Sequence, residues 1–226
     1  MDPVNQTENM NDITTTLAGL TLTLKADPNA DARRMAYIAS EAARKAETLW
    51  RDANAPERHY HAKAEASGEW GRTLAALRAK LGSGLFAALN SKINGSGKTQ
   101  MGVELMRHQI NTLGRPAVFL SATEFFIQVK ATYRSDASKS EADVLTKYAK
   151  PELLVIDEIE KRGASEWENI LLFHLFNRRY NAVKDTLLIS NLPEAELCQH
   201  LGPALVSRLN ETGGLISCDW PSRREA

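Results

Sequence analysis

The sequence predicts an α/β fold in which a five-stranded parallel sheet is flanked by helices. From about residue 80 onwards, short apolar runs alternate with amphipathic segments, which is typical of parallel strands joined by crossover helices. One apolar run leads into a glycine-rich loop, and another ends in two carboxylates. Both features lie where open α/β sheets bind ligands, at the carboxyl ends of their strands.

Five apolar runs are predicted as the strands of this sheet. They cover residues 85–90, 117–121, 153–157, 186–191 and 215–219. Ser-x-x-Glu patterns beginning at Ser121, Ser138 and Ser165 predict helix starts, because the serine and the glutamate can each accept a hydrogen bond from an unpaired helix amide. The helices and strands therefore alternate as a parallel sheet requires.

Residues 1–53 are predicted to form a small, mainly helical and partly disordered segment that binds a partner. Leu20–Leu24 could be a strand or a helix turn. Between residues 31 and 52, apolar residues recur at helical spacing, which predicts an amphipathic helix. That helix could bind a partner or fold back on the rest of the chain. Residues 54–66 are predicted as a linker, and residues 67–226 as the main domain.

Charge and cysteine content restrict the classes of function. The 28 basic residues balance 28 acidic ones, so nucleic-acid binding would need a local patch. Two cysteines are too few for a disulfide framework and lack the spacing of a zinc site. The chain shows neither a signal-peptide pattern nor about 18 consecutive apolar residues, so we expect a soluble cytoplasmic protein.

The stretch SKINGSGKT, residues 91–99, resembles a phosphate-binding loop between a strand and a helix. The residues predicted to bind a nucleotide are Asn94, Gly95, Ser96, Gly97, Lys98 and Thr99. Lys98 would contact the β and γ phosphates, and Thr99 would bind Mg²⁺. The pattern requires a first glycine where this chain has Lys92. The backbone amides that would bind phosphate come after that position. Lys92 should therefore alter the start of the loop more than it alters these amides. The alternative is a glycine-rich turn without a ligand.

The acidic pair Asp157 and Glu158 follows the buried run at residues 153–156. Asp157 would hold Mg²⁺, directly or through water, and Glu158 would polarise the attacking water. A solvated acidic turn is the alternative for this motif alone. One predicted strand lies between the glycine-rich loop and this acidic pair, and that spacing favours the nucleotide interpretation of both motifs.

Three further residues are candidates for contacts with the reacting phosphate. Asn191 ends another strand and could bond the γ-phosphate or the attacking water, although Asn is also common in turns. Arg208 and Arg224 follow, and an arginine can stabilise the charge on a transferring phosphoryl group in cis or in trans. Solvated surface arginines are more common.

Taken together, the order of SKINGSGKT, LLVIDEIE, RRYNAVKDTLLISNL, HLGPALVSRL and WPSRR resembles the DnaC/IstB-like family. These are helicase-loader and transposition-helper ATPases of the AAA+ class. The resemblance covers about residues 50–226. It implies a five-stranded AAA+ core with ATP and Mg²⁺ as ligands, and Lys92 departs from the family's glycine.

The resemblance also implies a role for each motif residue. Lys98 and Thr99 correspond to Walker A, Asp157 and Glu158 to Walker B, Asn191 to sensor 1, Arg208 to an arginine finger and Arg224 to sensor 2. A finger that acts on a neighbouring subunit requires a homo-oligomer with ATP at the subunit interfaces. The altered loop leaves open how fast ATP would be turned over.

The family resemblance further implies binding of single-stranded DNA by the region after the second strand. The residues that could contact DNA are Lys130, Tyr133, Arg134 and Lys139. In the alternative interpretation, this region is an amphipathic helix that packs its aromatic side chains inward. The implied function is ATP-dependent loading or release of a replicative DNA helicase. The alternatives are a transposition helper that acts with a transposase on duplex DNA, and a non-hydrolysing scaffold.

Overall fold

A computed structural model describes residues 13–17, 20–24, 29–62, 67–163 and 165–223. Contacts divide the chain into two compact units, Met1–Arg44 and Lys45–Ala226. The division predicted from the sequence, into residues 1–53, 54–66 and 67–226, stays a prediction.

The first unit contains a β-hairpin that the sequence left undecided. Strand β1, Ile13–Leu17, pairs antiparallel with β2, Leu20–Leu24. Threonines occur in both strands, and their branched Cβ favours extended backbone. Helix α1, Ala30–Asp52, then begins one residue before its predicted start.

The second unit is built on five parallel strands. They are β3 (Phe86–Asn90), β4 (Ala117–Ser121), β5 (Leu153–Asp157), β6 (Asp185–Ser190) and β7 (Gly214–Ser217). Their order in the sheet is β4-β5-β6-β3-β7. This confirms the predicted sheet: β4 and β5 have the predicted bounds, and the ends of the other three strands differ by at most two residues. Because β6 lies between β3 and β5, its carboxyl end separates the glycine-rich loop from the acidic pair.

Helices cover both faces of the sheet. They are α2 (Glu57–Tyr60), α3 (Gly68–Lys80), α4 (Lys98–Arg107) with a π-helical extension (His108–Thr112), α5 (Ala122–Ala131), α6 (Glu141–Ala149), α7 (Glu166–Asn181), α8 (Glu194–Leu201) and α9 (Pro203–Thr212). Leu188 packs on one face with Phe125, whereas its neighbour Leu187 packs on the other with Trp70. Burial on both faces explains why the strands are continuous apolar runs.

Serine side chains cap three of these helices, one of them at a position other than predicted. The hydroxyls of Ser121 and Ser165 accept bonds from the amides three residues later, as predicted. The predicted start at Ser138 is wrong. Ser140 is the extended residue directly before α6, and Asp143 reaches back to its amide to complete a capping box.

Helix α2 lies within the segment that was predicted as a linker. Arg107 Nη2 donates to the Tyr60 carbonyl at 2.7 Å. The Ala53 carbonyl accepts a bond from the Phe119 amide of β4 at 2.8 Å, and the Ala53 side chain is fully buried. Ala53, which directly precedes this segment, and Tyr60 of α2 are therefore both tied to the rest of the second unit by hydrogen bonds to their carbonyls.

Two charged residues organise the amino-terminal edge of the sheet. The fully buried Arg179 of α7 donates to Thr186 Oγ1 and to the Tyr148 and Pro151 carbonyls, each at 2.9 Å. Burial lowers the pKa of Arg179 to about 10, which leaves it charged at neutral pH. Asp185 accepts bonds from three amides in the loop before β3. These contacts stabilise the amino-terminal edge of the sheet, which lies opposite the edge where ligands are expected to bind.

Candidate nucleotide-binding site

The glycine-rich loop connects β3 to α4 and requires glycine at two positions. Gly95 and Gly97 have φ angles of 82° and 84°, in the left-handed region that favours glycine. A Cβ atom at Gly97 would also lie 2.9 Å from Trp70 Nε1 and 3.1 Å from Arg223 Cδ. Gly97 is therefore required both by its backbone conformation and by the close approach of these side chains.

Lys92, at the position of the missing glycine, does not disturb this loop. It is not among the described non-glycine residues with positive φ, which are Asn54, Glu158 and Val183. Its side chain is 71% exposed, and its ammonium lies 3.7 Å from the Glu196 carboxylate. Since this loop needs no left-handed residue there, a lysine is accommodated on the surface.

Three donors hold the carbonyl oxygens of consecutive loop residues. The Arg223 amide donates to Gly95 at 2.9 Å, the Trp220 indole to Ser96 at 2.6 Å and the Trp70 indole to Gly97 at 3.2 Å. In a trans peptide the N–H points away from the C=O, so the amides that follow these carbonyls are directed to the opposite side of the loop. A phosphate cradle needs this orientation of successive amides. We call residues 220–223 the C-terminal strap.

Replacing Trp220 by phenylalanine should weaken ATP binding by roughly threefold to tenfold. The substitution keeps an aromatic ring but removes the donor to the Ser96 carbonyl, and one such bond contributes about 1 kcal/mol. Fluorescence titration with a labelled nucleotide measures the effect. Trp167→Phe is the matched control, because that indole donates to the Tyr133 hydroxyl. Equal affinities for both variants would contradict a role of the strap in orienting the loop.

The predicted Walker residues converge on one cavity. Thr99 Oγ1 donates to Asp157 Oδ2 at 2.8 Å. Burial raises the pKa of Asp157, although bonds from Thr99 and the Glu158 amide oppose that rise. Hydroxyl and carboxylate oxygens are the ligands that Mg²⁺ prefers, and a cation here would offset the cost of burying this carboxylate. The residues present therefore fit a magnesium ion.

The Lys98 ammonium lies inside the loop and is bonded to it. It donates to the Ser91 and Ile93 carbonyls, each at 3.2 Å, and the residue is only 6% exposed. Burial lowers the pKa of Lys98, while nearby acidic groups, Asp157 among them, oppose the shift. The loop thus holds a buried cation beside the amide cradle, as binding of a polyphosphate requires.

The ends of β5 and β6 are joined by a glutamate that the sequence did not single out. Glu160 accepts bonds from Ser190 Oγ at 2.9 Å and from Asn191 Nδ2 at 3.1 Å. The contact therefore orients the predicted sensor 1 amide. Glu158 has a φ angle of 54°, so its backbone is strained in the left-handed region at the predicted catalytic position. The acidic run DEIE was the only signal of Glu160 in the sequence.

The cavity has a volume of about 830 Å³, within the usual range for ligand pockets. Its lining includes residues 94–100, Asp157, Glu158, Lys161, Asn191, Arg58, His59 and Arg223. His59 Nδ1 lies 2.9 Å from Gln100 Oε1, which places this histidine at the nucleotide cavity. Arg224, the predicted sensor 2 residue, lies outside the described residues. Arg223 was not predicted, and its guanidinium lies over the Trp70 ring.

Arg208 is not among the residues that line this cavity. Its guanidinium donates to Asn177 Oδ1 at 3.0 Å and lies over the rings of Phe173 and Tyr180. An arginine that acts on a neighbouring subunit would not line its own cavity, so its predicted role remains a prediction.

The four predicted DNA-binding residues are all exposed. Lys130 lies 3.9 Å from the Glu168 carboxylate and above the Trp167 ring, and Arg134 lies 3.4 Å from Asp136. Tyr133 is 58% exposed and accepts a bond from the Trp167 indole. By contrast, Phe125 and Phe126 are buried, as the alternative interpretation of this helix expected. The region thus combines an apolar inner face with an exposed outer face on which aromatic and basic side chains lie beside carboxylates.

Comparisons with known proteins identify the family and the fold. The sequence model of the IstB-like ATP binding proteins matches residues 91–209. The replicative helicase loader DnaC of Buchnera aphidicola subsp. Schizaphis graminum is 23% identical over 132 residues, 58% of this chain and 53% of that protein. The chain thus spans about half the length of the curated relatives it matches.

Two solved structures resemble the fold of this chain. A crystal structure of the DnaC helicase loader has a TM-score of 0.56 and 21% identity, covering 75% of this chain and 98% of that chain. The replication initiator DnaA bound to AMPPCP and single-stranded DNA has a TM-score of 0.57 and 22% identity, covering 70% and 49%. The fold is that of AAA+ P-loop ATPases. Among the described residues, no helix is both long and apolar enough to cross a membrane.

Proposed function

This chain belongs to the family of IstB-like ATP-binding proteins, and we propose that it hydrolyses ATP with Mg²⁺ in the cavity described above. Turnover would place or release a replicative DNA helicase on single-stranded DNA. One observation carries the proposal. The loop residue Thr99 and the β5 carboxylate Asp157, far apart in sequence, are within 2.8 Å of each other beside the buried Lys98 ammonium.

Different residues of the cavity have different roles in phosphoryl transfer. The loop amides and Lys98 would bind and orient the phosphates, and Thr99 and Asp157 would hold the metal. When bound, Mg²⁺ would neutralise charge on the phosphate oxygens. Glu158 accepts a hydrogen bond from the attacking water and thereby orients it. Asn191, kept in place by Glu160, supplies a second polar contact at the same edge of the sheet.

Loading of a helicase is supported by the helicase loaders that this chain resembles. The proposed docking element is residues 1–53. In the amino-terminal part of α1, Met35, Tyr37 and Ile38 are between 50% and 66% exposed. Through exposed apolar residues of this kind, a helix can bind a hydrophobic groove on a partner.

The proposed contact with single-stranded DNA is the exposed face around Tyr133. Lys130, Arg134 and Lys139 can bind phosphates there, and the ring of Tyr133 can stack on a base. Trp167 extends this face, because its ring centroid lies 6.0 Å from that of Tyr133. A filter-binding assay against single-stranded and duplex oligonucleotides measures the preference.

The matched family model favours a second candidate, since it describes ATP-binding proteins of the IstB, IS21 type. A transposition helper would bind a transposase and duplex DNA. Affinity purification with the tagged chain and ATP tests the two candidates side by side, with purified replicative helicase and transposase from the same source. Retention of the helicase, dependent on ATP, is expected. Retention of the transposase alone would favour the second candidate.

An active site completed by a neighbouring subunit predicts complementation between two inactive variants. Glu158→Gln should bind ATP without hydrolysing it, and Arg208→Ala should lower kcat by about 1,000-fold or more while it still binds ATP. Mixing them should restore a fraction of the hydrolysis, because some interfaces then combine an intact Glu158 with an intact Arg208. Arg178→Ala, which changes an exposed arginine of α7, is the control and should remain active. Absence of rescue would contradict a finger acting in trans.

A further inference from the structure

Lys161 is a cationic residue of the nucleotide cavity that belongs to none of the predicted motifs. Its backbone is held from both sides. The Lys161 amide donates to the Glu158 carbonyl at 2.8 Å, and its carbonyl accepts a bond from Thr123 Oγ1 of α5 at 2.9 Å. The main chain is therefore fixed, and the four-carbon side chain is the part that can change position.

The side chain of Lys161 is paired with the predicted catalytic carboxylate. Its ammonium donates to Glu158 Oε1 at 2.5 Å. The contact with Glu158 raises the pKa of Lys161, so the lysine is charged at neutral pH. A carboxylate that is occupied by an ammonium ion is a weaker acceptor for a water molecule. In this arrangement Glu158 is not free to orient the attacking water.

The pair can separate at low cost. The Lys161 and Glu158 side chains are 57% and 38% exposed, and exposed ion pairs contribute little to stability. Both residues line the cavity that also contains Lys98 and Asp157. A phosphate group in that cavity offers more negative charge than one carboxylate, and lysine binds phosphate as a point charge.

Resting on the proposed function, we infer that Lys161 binds the terminal phosphate of ATP and releases Glu158 when it does so. ADP lacks this phosphate, so with ADP the lysine stays on Glu158. Lys161 thereby has two effects. It makes the site prefer the triphosphate over the diphosphate, and it frees the catalytic carboxylate only when the substrate is complete.

The first test compares binding of AMPPCP and ADP, each with Mg²⁺, by calorimetry. Lys161→Met should weaken AMPPCP binding roughly tenfold, as for the loss of one charged hydrogen bond, and change ADP binding by less than about twofold. Lys161→Arg should keep most of the preference. Lys184→Met is the matched control, because Lys184 pairs with Glu152 at the opposite edge of the sheet. It should leave the AMPPCP-to-ADP ratio unchanged.

The second test is a double-mutant cycle that measures the exchange itself. Glu158→Gln removes the competing carboxylate charge, so Lys161 is more available and AMPPCP should bind about threefold to tenfold more tightly. In the Lys161→Met background this gain should disappear. AMPPCP is used because it excludes any contribution from hydrolysis.

The outcomes separate this inference from the proposed function. If the wild type binds both nucleotides and Lys161→Met leaves their ratio unchanged, only the inference is overturned. A gain from Glu158→Gln that is equal in both backgrounds also overturns it. If the wild type binds neither nucleotide, the proposed function fails and the inference fails with it.

Discussion

Lys98→Ala is expected to weaken ATP binding by roughly 30-fold or more, because truncating a buried, hydrogen-bonded charge costs about 2–5 kcal/mol. The Lys98 ammonium is the buried cation of the loop, and it donates hydrogen bonds to two loop carbonyls. Without the lysine, these carbonyls could not bind a phosphate, because they are themselves hydrogen-bond acceptors. Titration with a fluorescent ATP analogue measures the loss, and circular dichroism checks that the variant is folded.

Lys92→Ala is the matched control in the same loop. Its side chain is 71% exposed and its φ angle is not in the left-handed region, so affinity should change by less than about threefold. If Lys92→Ala and Lys98→Ala had equal effects, the loop would not act as a phosphate-binding loop. A large effect of Lys92→Ala alone would show that the altered start of the loop controls affinity.

Arg179→Met is expected to lower the free energy of unfolding by about 3–5 kcal/mol. The guanidinium is fully buried and donates to the Thr186 hydroxyl and to the Tyr148 and Pro151 carbonyls at the amino-terminal edge of the sheet, so these acceptors would lose their donor. Urea denaturation followed by circular dichroism measures the change. Arg178→Met, at the exposed neighbouring position of α7, should change stability by no more than about 0.5 kcal/mol.

A result within about 1 kcal/mol of the Arg178 control would contradict the structural role of Arg179. Arg179→Lys adds a second comparison. It keeps the charge but loses the forked geometry, so it should be intermediate between the wild type and the methionine variant. Nucleotide binding by the folded fraction should be retained in each case, since Arg179 lies at the edge opposite the cavity.

The parts of the fold that follow from local pattern were predictable. Continuous apolar runs predicted all five core strands, because both faces of a parallel sheet are buried. The glycines at 95 and 97 predicted a loop whose backbone indeed has positive φ. Strand polarity alone was enough to predict that the carboxyl edge of the sheet carries Lys98, Thr99, Asp157 and Asn191.

The parts that depend on distant contacts were not predictable. Trp220 contacts the Ser96 carbonyl across 124 residues, and no local pattern marks an indole as a donor to a loop. In the sequence, Glu160 and Lys161 resemble ordinary surface charges. Only the fold of the turn after β5 brings Glu160 to Asn191 and Lys161 to Glu158. The pairing of β1 with β2 was missed because Leu20–Leu24, taken alone, fits a strand and a helix turn equally.

Calorimetric titration of the wild-type chain with ATP, with and without Mg²⁺, tests whether the cavity binds a nucleotide and a metal ion. We expect saturable binding of one nucleotide per chain, strengthened by Mg²⁺ and weakened about 30-fold or more in Lys98→Ala. Absence of binding with Mg²⁺ present, from a folded sample, would contradict this expectation. Equal binding by the wild type and Lys98→Ala would contradict it as well.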